Sequence, residues 1–243
     1  MLQGGYMRLD KFLSNSLNIS RSLINAFIKK NEIFVNGNRV TKKDFKIDED
    51  KDIVIVNGNI IEYKEFVYYM LNKPKGYVSA VKDNIDKTVV ELIDTNYEVF
   101  PIGRLDKDTE GLLILTNNGS LCHHLTNPNH HVLKKYLVIS DLEMSDDEML
   151  EFKKGIYIKD KDGEEFLTKE CNIEKIDSLK YHVYIEEGKF HQVKRMFRYF
   201  NKKVMYLKRL QMGSIILDEN LKVGEYRELS REEVILLKEN SNF

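Results

Sequence analysis

Three acidic side chains alternate with other residues in one short segment, and they are the first candidates for chemistry. Asp106, Asp108 and Glu110 stand between two glycines in the stretch PIGRLDKDTEGLLILTNNG. The glycines predict a sharply turned loop, and the apolar run after them predicts a buried strand over residues 112–116. A loop anchored to a core strand holds a carboxylate rigidly while leaving it open to a substrate.

This spacing by itself leaves three interpretations open. Acids at every second position occur in solvated surface loops, in sites for divalent cations, and as the paired carboxylates of glycosidases. A choice among these interpretations requires the other groups that the fold brings to the loop.

A basic segment supplies a counterpart for one of the carboxylates. In the stretch EGKFHQVKRMFRYF, apolar residues at helical spacing predict a buried stripe of Val193, Met196, Phe197 and Phe200. Lys194 and Arg195 project away from that stripe, so we expect one of them to reach Asp106. A carboxylate in a partly dry pocket stays ionised only where a nearby cation offsets the cost of its desolvation.

An aromatic residue is a third candidate. Tyr136 stands in the stretch HHVLKKYLV, which predicts a strand. Such a ring either packs in the core or stacks on a base that has been lifted out of a nucleic-acid helix.

The length of the chain and its pattern of predicted helices and strands indicate the fold that must position these residues. With 243 residues, the chain is long enough for one large core and a smaller satellite domain. From Phe66 onward, strands and turns mix with short helices, which predicts an α+β fold. Ser230 and Glu233 form a capping box for a last helix over residues 231–239, which we expect to be structural.

Cysteine and histidine usage argues against a metal site or a disulfide framework. Cys122 and Cys171 are isolated in the sequence, so reduced structural thiols are the preferred interpretation. Two histidine doublets, at 123–124 and 130–131, lack the Cys or His spacing of a known zinc site. We therefore expect no bound metal.

The sequence carries no sign of a membrane segment. No apolar run reaches the roughly 18 to 20 residues of a spanning helix, and the N-terminus lacks the basic-then-apolar layout of a secretory signal. The sequence therefore predicts a cytoplasmic protein with no membrane partner. Nothing in it requires more than a monomer.

Charge is segregated along the chain, although its net value is only −1. Residues 7–46 contain nine Lys or Arg against three acids, and residues 187–209 contain eight against one. Two basic segments in an otherwise acidic chain are typical of a protein that binds the phosphates of a nucleic acid with particular basic surfaces. Solvated charged faces are the alternative interpretation.

The first basic segment predicts a small folded unit. Apolar residues at helical spacing predict one helix from Arg8, and Ser20 is a suitable N-cap for a second. Asn36 with Gly37, between alternating apolar residues, predicts a β-hairpin. The stretches MRLDKFLS and SRSLINAFIKKNEIFVNGNRV resemble the S4 RNA-binding domain. The resemblance implies structured ribosomal RNA as the partner, with contacts from Arg8, Lys11, Arg21, Lys29 and Arg39.

Domain boundaries follow from composition. Residues 1–6 fit no element, and we predict them to be a start-site extension or a disordered segment ahead of a true start at Met7. The S4 domain is predicted over residues 7–57, a linker over 58–65 and a larger domain over 66–240.

Four separated motifs of the larger domain resemble the RsuA-type pseudouridine synthases. They are Lys73-Pro74-Lys75-Gly76, then Gly103-Arg104-Leu105-Asp106 with Asp108, Thr109 and Gly111, then Lys135-Tyr136, and finally Glu187-Gly188 followed by residues 191–196. The resemblance implies a bilobal catalytic domain on a mixed, mostly antiparallel central sheet with flanking helices. It also implies an isomerase that turns a uridine of RNA into pseudouridine without a cofactor.

Residue roles carry over position by position from this resemblance. It implies that Asp106 is the catalytic carboxylate, that Lys194 is its basic partner, that Tyr136 stacks on the target uracil and that Arg104 helps to displace it. Lys73, His191, Gln192 and Arg195 of these motifs are expected to bind RNA. Arg198, on the same predicted helix as Lys194, is expected to face RNA phosphates.

The expected substrate is ribosomal RNA of the small subunit. The stretches HHVLKKYLV and EGKFHQVKRMF are more similar to the 16S enzymes of the family than to their large-subunit relatives, so we expect 16S rRNA, free or within a partly assembled small subunit. The alternatives are a synthase for 23S rRNA, a non-catalytic rRNA-binding assembly factor, and a metal-dependent nuclease or glycosidase. Whether the carboxylate attacks the ribose, attacks the base or removes a ribose proton stays open.

Overall fold

The chain folds as two units, and the boundary between them lies near Phe66, where the predicted pattern of strands and helices changes. The computed structural model describes residues 6–17, 19–20, 22–49, 51–159 and 162–239. The small unit comprises residues 1–67 with 94–98, and the large unit comprises residues 68–93 with 99–243.

Short apolar runs separated by tight turns give the small unit its elements. In chain order they are β1 (Tyr6–Arg8), α1 (Leu9–Ser16), α2 (Ile24–Lys30), β2 (Ile33–Val35), β3 (Asn38–Arg39), β4 (Lys46–Asp48), β5 (Val54–Val56) and β6 (Asn59–Ile61). Strands β3, β2, β5 and β6 form one antiparallel sheet, and β1 pairs with β4. The predicted helix from Arg8 is confirmed, because Leu9, Phe12 and Leu13 are all buried in the core of this unit.

Two hairpin turns of the same type shape this sheet. Asn36 and Gly37 join β2 to β3 with φ of 50° and 79°, the pair of positive values that a two-residue type I′ turn requires. Asn57 and Gly58 join β5 to β6 in the same way, with φ of 49° and 84°. The first hairpin confirms the prediction.

The second hairpin overturns the predicted linker. Residues 59–61 are a strand paired with β5, so the segment 58–65 is not a connection between domains. The Asn-Gly pair does not end the unit but turns the chain back onto the same sheet. Two smaller predictions are also corrected: Tyr6 pairs with Asp48, and α2 begins at Ile24, well after Ser20. Residues 1–5 lie outside the described residues.

The large unit is built on one mixed sheet. Its elements are β7 (Tyr68–Lys73), β8 (Phe100–Pro101), β9 (Glu110–Thr116), α3 (Gly119–Thr126), β10 (Lys134–Ser140), α4 (Asp146–Lys154), β11 (Tyr157–Lys159), β12 (Glu165–Leu167), β13 (Asn172–Asp177), β14 (Lys180–Ile185), α5 (Gln192–Tyr199), β15 (Val204–Met212), β16 (Ile215–Ile216), β17 (Tyr226–Glu228) and α6 (Arg231–Glu239), with short 3-10 helices at Val89–Leu92 and Pro128–His130. Seven strands lie in the order β13-β14-β10-β15-β9-β7-β17, while β16 pairs with β15 and β8 with β9. Only the β9–β15 pair in this described sheet is parallel, which confirms the mixed, mostly antiparallel α+β prediction.

The parallel pair brings the candidate residues to one end of the sheet. Because β9 and β15 run in the same direction, the segments that precede them, which carry the acidic loop and α5, enter from the same side. Gly111 makes this pairing possible: a Cβ atom there would lie 2.2 Å from the Arg209 carbonyl oxygen, and its φ is +100°. A residue with a side chain would push the two strands apart.

Helix α5 is oriented by aromatic packing. Phe197 lies 5.7 Å from the Phe152 ring of α4 and 5.9 Å from the Tyr181 ring of β14, measured between centroids. Val193 and Met196 are buried on the same face. The predicted stripe is therefore confirmed for these residues, and the opposite face of α5 is left for polar side chains. No helix within the described ranges has the length and apolar character needed to cross a membrane.

Candidate active site

Asp106 lies on the loop between β8 and β9, and the loop is fixed by its own backbone. The hydroxyl of Ser79 accepts a hydrogen bond from the Leu105 nitrogen at 3.0 Å and donates one to the Leu105 oxygen at 2.9 Å. The Thr109 nitrogen donates to the Asp106 oxygen at 3.0 Å. These bonds hold the backbone on both sides of Asp106, so its carboxylate has a defined position.

Lys73 anchors the same loop from the interior. This last residue of β7 pairs with Gly111 of β9 and is fully buried. Its ammonium donates to backbone oxygens of Thr109 at 2.9 Å, Asp106 at 3.1 Å and Pro74 at 3.1 Å. The Lys107 backbone oxygen lies at 3.4 Å from the same ammonium. The ammonium is thus surrounded by backbone oxygens, and Lys73 is a positioning residue for the loop.

Lys194 provides the cation beside Asp106. From the polar face of α5, its ammonium lies 2.8 Å from Asp106 Oδ2 and 2.6 Å from Asp108 Oδ1. The side chains of Lys194 and Asp106 are 20% and 23% exposed, whereas that of Asp108 is 71% exposed. The expectation that Lys194 or Arg195 reaches Asp106 is confirmed for Lys194.

Lys194 and its carboxylate partners stabilise one another in their charged forms. Burial alone would lower the pKa of Lys194, but its hydrogen bonds to the two carboxylates outweigh burial and leave the pKa above its ordinary value. Burial likewise favours a higher pKa for Asp108, yet the bond from Lys194 brings it below its ordinary value. Lys194 therefore stays charged throughout the neutral range.

Glu110, the third acid of the segment, does not bind Lys194 and has another partner. Glu110 accepts a hydrogen bond from the Tyr206 hydroxyl at 2.7 Å and pairs in register with Lys208 of β15. The three alternating acids thus do not converge on one point, which disfavours the cation-site and glycosidase interpretations.

A narrow cleft of about 60 Å³ opens beside Asp106. Residues of the acidic loop, β10, β14, β15, the segment before α5 and the first turn of α5 line it. They are Arg104, Leu105, Asp106, Thr109, Tyr136, Ile185, Gly188, Lys189, His191, Gln192, Val193 and Leu207. Tyr136 is buried in its wall and Arg104 is exposed. The structure therefore brings all four predicted catalytic residues together at one cleft or at the carboxylate beside it.

Comparisons with known proteins show the family of the chain. A family model described as RNA pseudouridylate synthase matches residues 67–199, and an S4 domain model matches residues 7–54. This chain belongs to the RNA pseudouridylate synthase family. It is an RNA pseudouridine synthase, an isomerase that acts on RNA, and it carries an N-terminal S4 domain.

Individual relatives of the synthase cover almost all of its length. It is 42% identical to "Uncharacterized RNA pseudouridine synthase YtzG" of Bacillus subtilis, over 96% of this chain and 99% of that protein. It is 37% identical to "Ribosomal small subunit pseudouridine synthase A" of Escherichia coli, over 94% and 98%. A crystal structure of a pseudouridylate synthase matches with a TM-score of 0.67 and 33% identity, over 95% of this chain and 99% of that chain.

Two residues predicted to bind RNA are corrected by the structure. Lys73 is fully buried and its ammonium is bonded to backbone oxygens, so it cannot reach a phosphate. Gln192 is 3% exposed, donates to Glu187 Oε1 at 2.6 Å and accepts from the Lys189 nitrogen at 2.9 Å. It fixes the turn before α5 in the synthase, and both polar atoms of its side chain are engaged in these bonds.

The other predicted RNA contacts stay predictions. Arg198 is exposed, and the Arg195 guanidinium donates to the backbone oxygen of Lys159. In the small unit, the predicted contacts Arg8, Lys11, Lys29 and Arg39 are all exposed. Arg21 lies outside the described residues.

The anchoring role of Lys73 was not visible in the sequence, and it leads to a testable expectation. Lys73→Met should lower the free energy of unfolding at pH 7 by about 2 kcal/mol, because the backbone oxygens of Thr109, Asp106 and Pro74 lose their donor. A loop displacement of about 1 Å should also slow the reaction by roughly 10²-fold. Urea unfolding and single-turnover kinetics measure the two effects. Lys75→Met, on the exposed side of the same turn, is the matched control and should change stability by less than about 0.5 kcal/mol.

The same lysine gives the synthase a pH signature. Burial lowers the pKa of Lys73 from 10.5 to about 8. Between these values the unfolded chain holds a proton that the folded protein has released, so the Lys73 contribution makes stability rise with pH over this window. Lys73→Met should lack that rise. Identical pH slopes for the two proteins between about pH 8 and 10.5 would contradict the assigned burial.

Proposed function

We propose that this synthase converts one uridine of small-subunit ribosomal RNA into pseudouridine, with Asp106 as the essential carboxylate. The observation that carries the proposal is the setting of Asp106: it borders a narrow cleft, and Lys194 holds its Oδ2 atom at 2.8 Å. Its Oδ1 atom lies outside that ion pair. A partly shielded carboxylate with one oxygen fixed and one oxygen available is suited to act on an extruded nucleotide.

Besides the carboxylate, the isomerisation requires few other groups from the protein. The bond from ribose C1′ to uracil N1 breaks, the base turns, and C1′ joins C5, without oxidation or hydrolysis. The enzyme must keep the detached base from escaping and hold its ring in place. The buried ring of Tyr136 in the cleft wall suits stacking on the uracil, and the exposed Arg104 suits the displacement of that base from its helix.

The small unit suits a grip on the RNA backbone. It carries a groove of about 360 Å³ lined by Arg8, Asp10, Lys11, Ile24, Asn25 and Lys43. Such a basic groove attracts phosphates irrespective of sequence, so it supplies affinity while the cleft selects the base. The relatives named for the small ribosomal subunit support 16S rRNA as the class of substrate.

The decisive experiment maps pseudouridines across ribosomal RNA from cells with and without the gene, by carbodiimide labelling and primer extension. We expect one site to disappear from 16S rRNA and to return with the wild-type gene but not with Asp106→Asn. A site lost from 23S rRNA would overturn the substrate, and no lost site would overturn the activity on ribosomal RNA.

A double variant tests the grip of the small unit. Replacing Lys29 and Arg39 together by alanine should weaken RNA binding and reduce the slope of log affinity against log salt by about two units, one for each phosphate contact. Filter binding of a 16S transcript across salt concentrations measures the slope. Lys153 and Lys154, exposed at the end of α4, give the matched double variant, whose slope should stay that of the wild type. An unchanged slope in the first variant would show that these two cations do not touch phosphates.

A further inference from the structure

One titratable side chain of the cleft is not used by the proposed chemistry. The His191 imidazole lines the cleft, is 40% exposed, and places its Nε2 atom 3.5 Å from Asp106 Oδ1. That separation is longer than an ordinary N–H···O hydrogen bond. The ring therefore lies beside the oxygen that Lys194 leaves available, without being committed to it.

Three features fix the His191 ring in that place. Its backbone adopts a left-handed conformation with φ of 51°, at the N-cap of α5. Its ring stacks on Phe190 with centroids 3.8 Å apart and planes 20° apart. The Arg195 guanidinium lies 5.1 Å from the Phe190 ring and donates to the Lys159 backbone oxygen. Phe190, on which the imidazole stacks, is itself 53% exposed.

The reaction needs a group that exchanges protons near neutral pH. When C1′ joins C5, the hydrogen on C5 must leave as a proton, and N1 must gain one. Arginine and lysine side chains are donors without an acceptor atom, and the tyrosine hydroxyl is a weak base, which sets aside Arg104, Lys189 and Tyr136 as acceptors. Gln192 and Thr109 carry no side-chain base of suitable strength, and the proposed function assigns Asp106 to the bond rearrangement. Of the described side chains that line the cleft, His191 is the one left that accepts and returns a proton.

We propose that His191 is the proton carrier of the isomerisation, an inference that rests on the proposed function of the same cleft. The C5=C6 electron pair forms the C1′–C5 bond while the N1 pair left from the broken glycosidic bond moves into an N1=C6 double bond. Nε2 then takes the proton from C5, the electron pair of the C5–H bond restores the C5=C6 double bond, and the N1=C6 pair returns to N1. N1, which kept the electron pair of the broken glycosidic bond, then takes one proton from the imidazolium. Protons and electrons balance, and no co-reactant is needed.

The test uses the full-length synthase and 16S rRNA transcripts made with hydrogen or deuterium at C5 of uridine. His191→Asn keeps a polar residue that tolerates left-handed backbone but cannot carry a proton. Its single-turnover rate should fall about 10²-fold with enzyme in excess. In this variant, the transcript with deuterium at C5 should react more slowly than the transcript with hydrogen at C5. His191→Gly relieves the backbone and leaves room for a small base, so added imidazole should restore activity to it. Imidazole should not accelerate the wild type or Asp106→Asn.

Controls separate this role from others. His123→Asn makes the same substitution at an exposed position of α3 away from the cleft and should react at the wild-type rate. A His191→Asn enzyme with the wild-type rate would overturn the proposal. Weakened RNA binding without an isotope effect or imidazole rescue would also overturn it, because His191 would then be an RNA contact only. Either result leaves the role of Asp106 standing. The proposed function fails separately, if Asp106→Asn stays active.

Discussion

Asp106→Asn is expected to lower the rate of pseudouridine formation by at least about 10⁵-fold, the loss expected on removal of an essential reacting group. The amide matches the carboxylate in shape but has neither its charge nor an oxygen able to attack or to take a proton. RNA affinity should change little, because phosphate contacts supply most of it. Single-turnover kinetics on a 16S transcript measure the rate, and filter binding measures the affinity.

The chain offers a matched control for this change. Asp108 carries the same side chain two residues on, also bonds Lys194, and is 71% exposed. Asp108→Asn leaves the Asp106–Lys194 pair in place, so it should stay within about tenfold of the wild-type rate, as expected for an exposed ion pair. The fold should tolerate Asp106→Asn as well, because Lys194 keeps Asp108 as a partner. Activity retained by Asp106→Asn, or lost equally in both variants, would contradict the assignment of Asp106.

Local rules predicted much of the site correctly from the sequence. The apolar stripe of α5 required Lys194 to lie on the opposite face, and the glycines around the acidic loop required a tight turn before a buried strand. The capping box at Ser230 and Glu233 is present, with the Glu233 nitrogen bonded to the serine hydroxyl at 3.2 Å. Each of these features depends on residues within about two turns of one another, where sequence periodicity is informative.

Features that depend on distant strand pairing, or on how the chain continues after a turn, were not predicted. Lys73 stands beside Pro74 and Lys75 in the sequence, a composition typical of an exposed turn, and only the pairing of β7 with β9 buries it. Gln192 is a polar residue at a helix start, and its partner Glu187 shows its structural role only once the turn between them is formed. The same Asn-Gly signal marked a hairpin at residue 36 and suggested a linker at residue 57, because the signal defines a turn and not the element that the chain enters after it.

Lys194→Met is expected to slow the reaction by about 10³-fold, in the range found when one preorganised electrostatic partner is removed from an active site. Methionine keeps the length of the side chain but leaves Asp106 in a partly shielded site without its ammonium. Lys194→Arg retains the charge but replaces a compact ammonium by a planar fork, so its rate should be intermediate. Single-turnover kinetics with enzyme in excess compare the three proteins.

The salt dependence of binding distinguishes this role from a phosphate contact, the other use of a lysine in a basic segment. A lysine that neutralises a phosphate contributes about one unit to the slope of log affinity against log salt. The Lys194 ammonium is already bonded to two carboxylates, so Lys194→Met should leave that slope unchanged while the rate collapses. A slope reduced by one unit together with a nearly normal rate would assign Lys194 to the RNA backbone. Because Asp108 is the exposed partner, adding Asp108→Asn to Lys194→Met should change the rate little further, whereas a large additional loss would mean that Asp108 acts independently of the lysine.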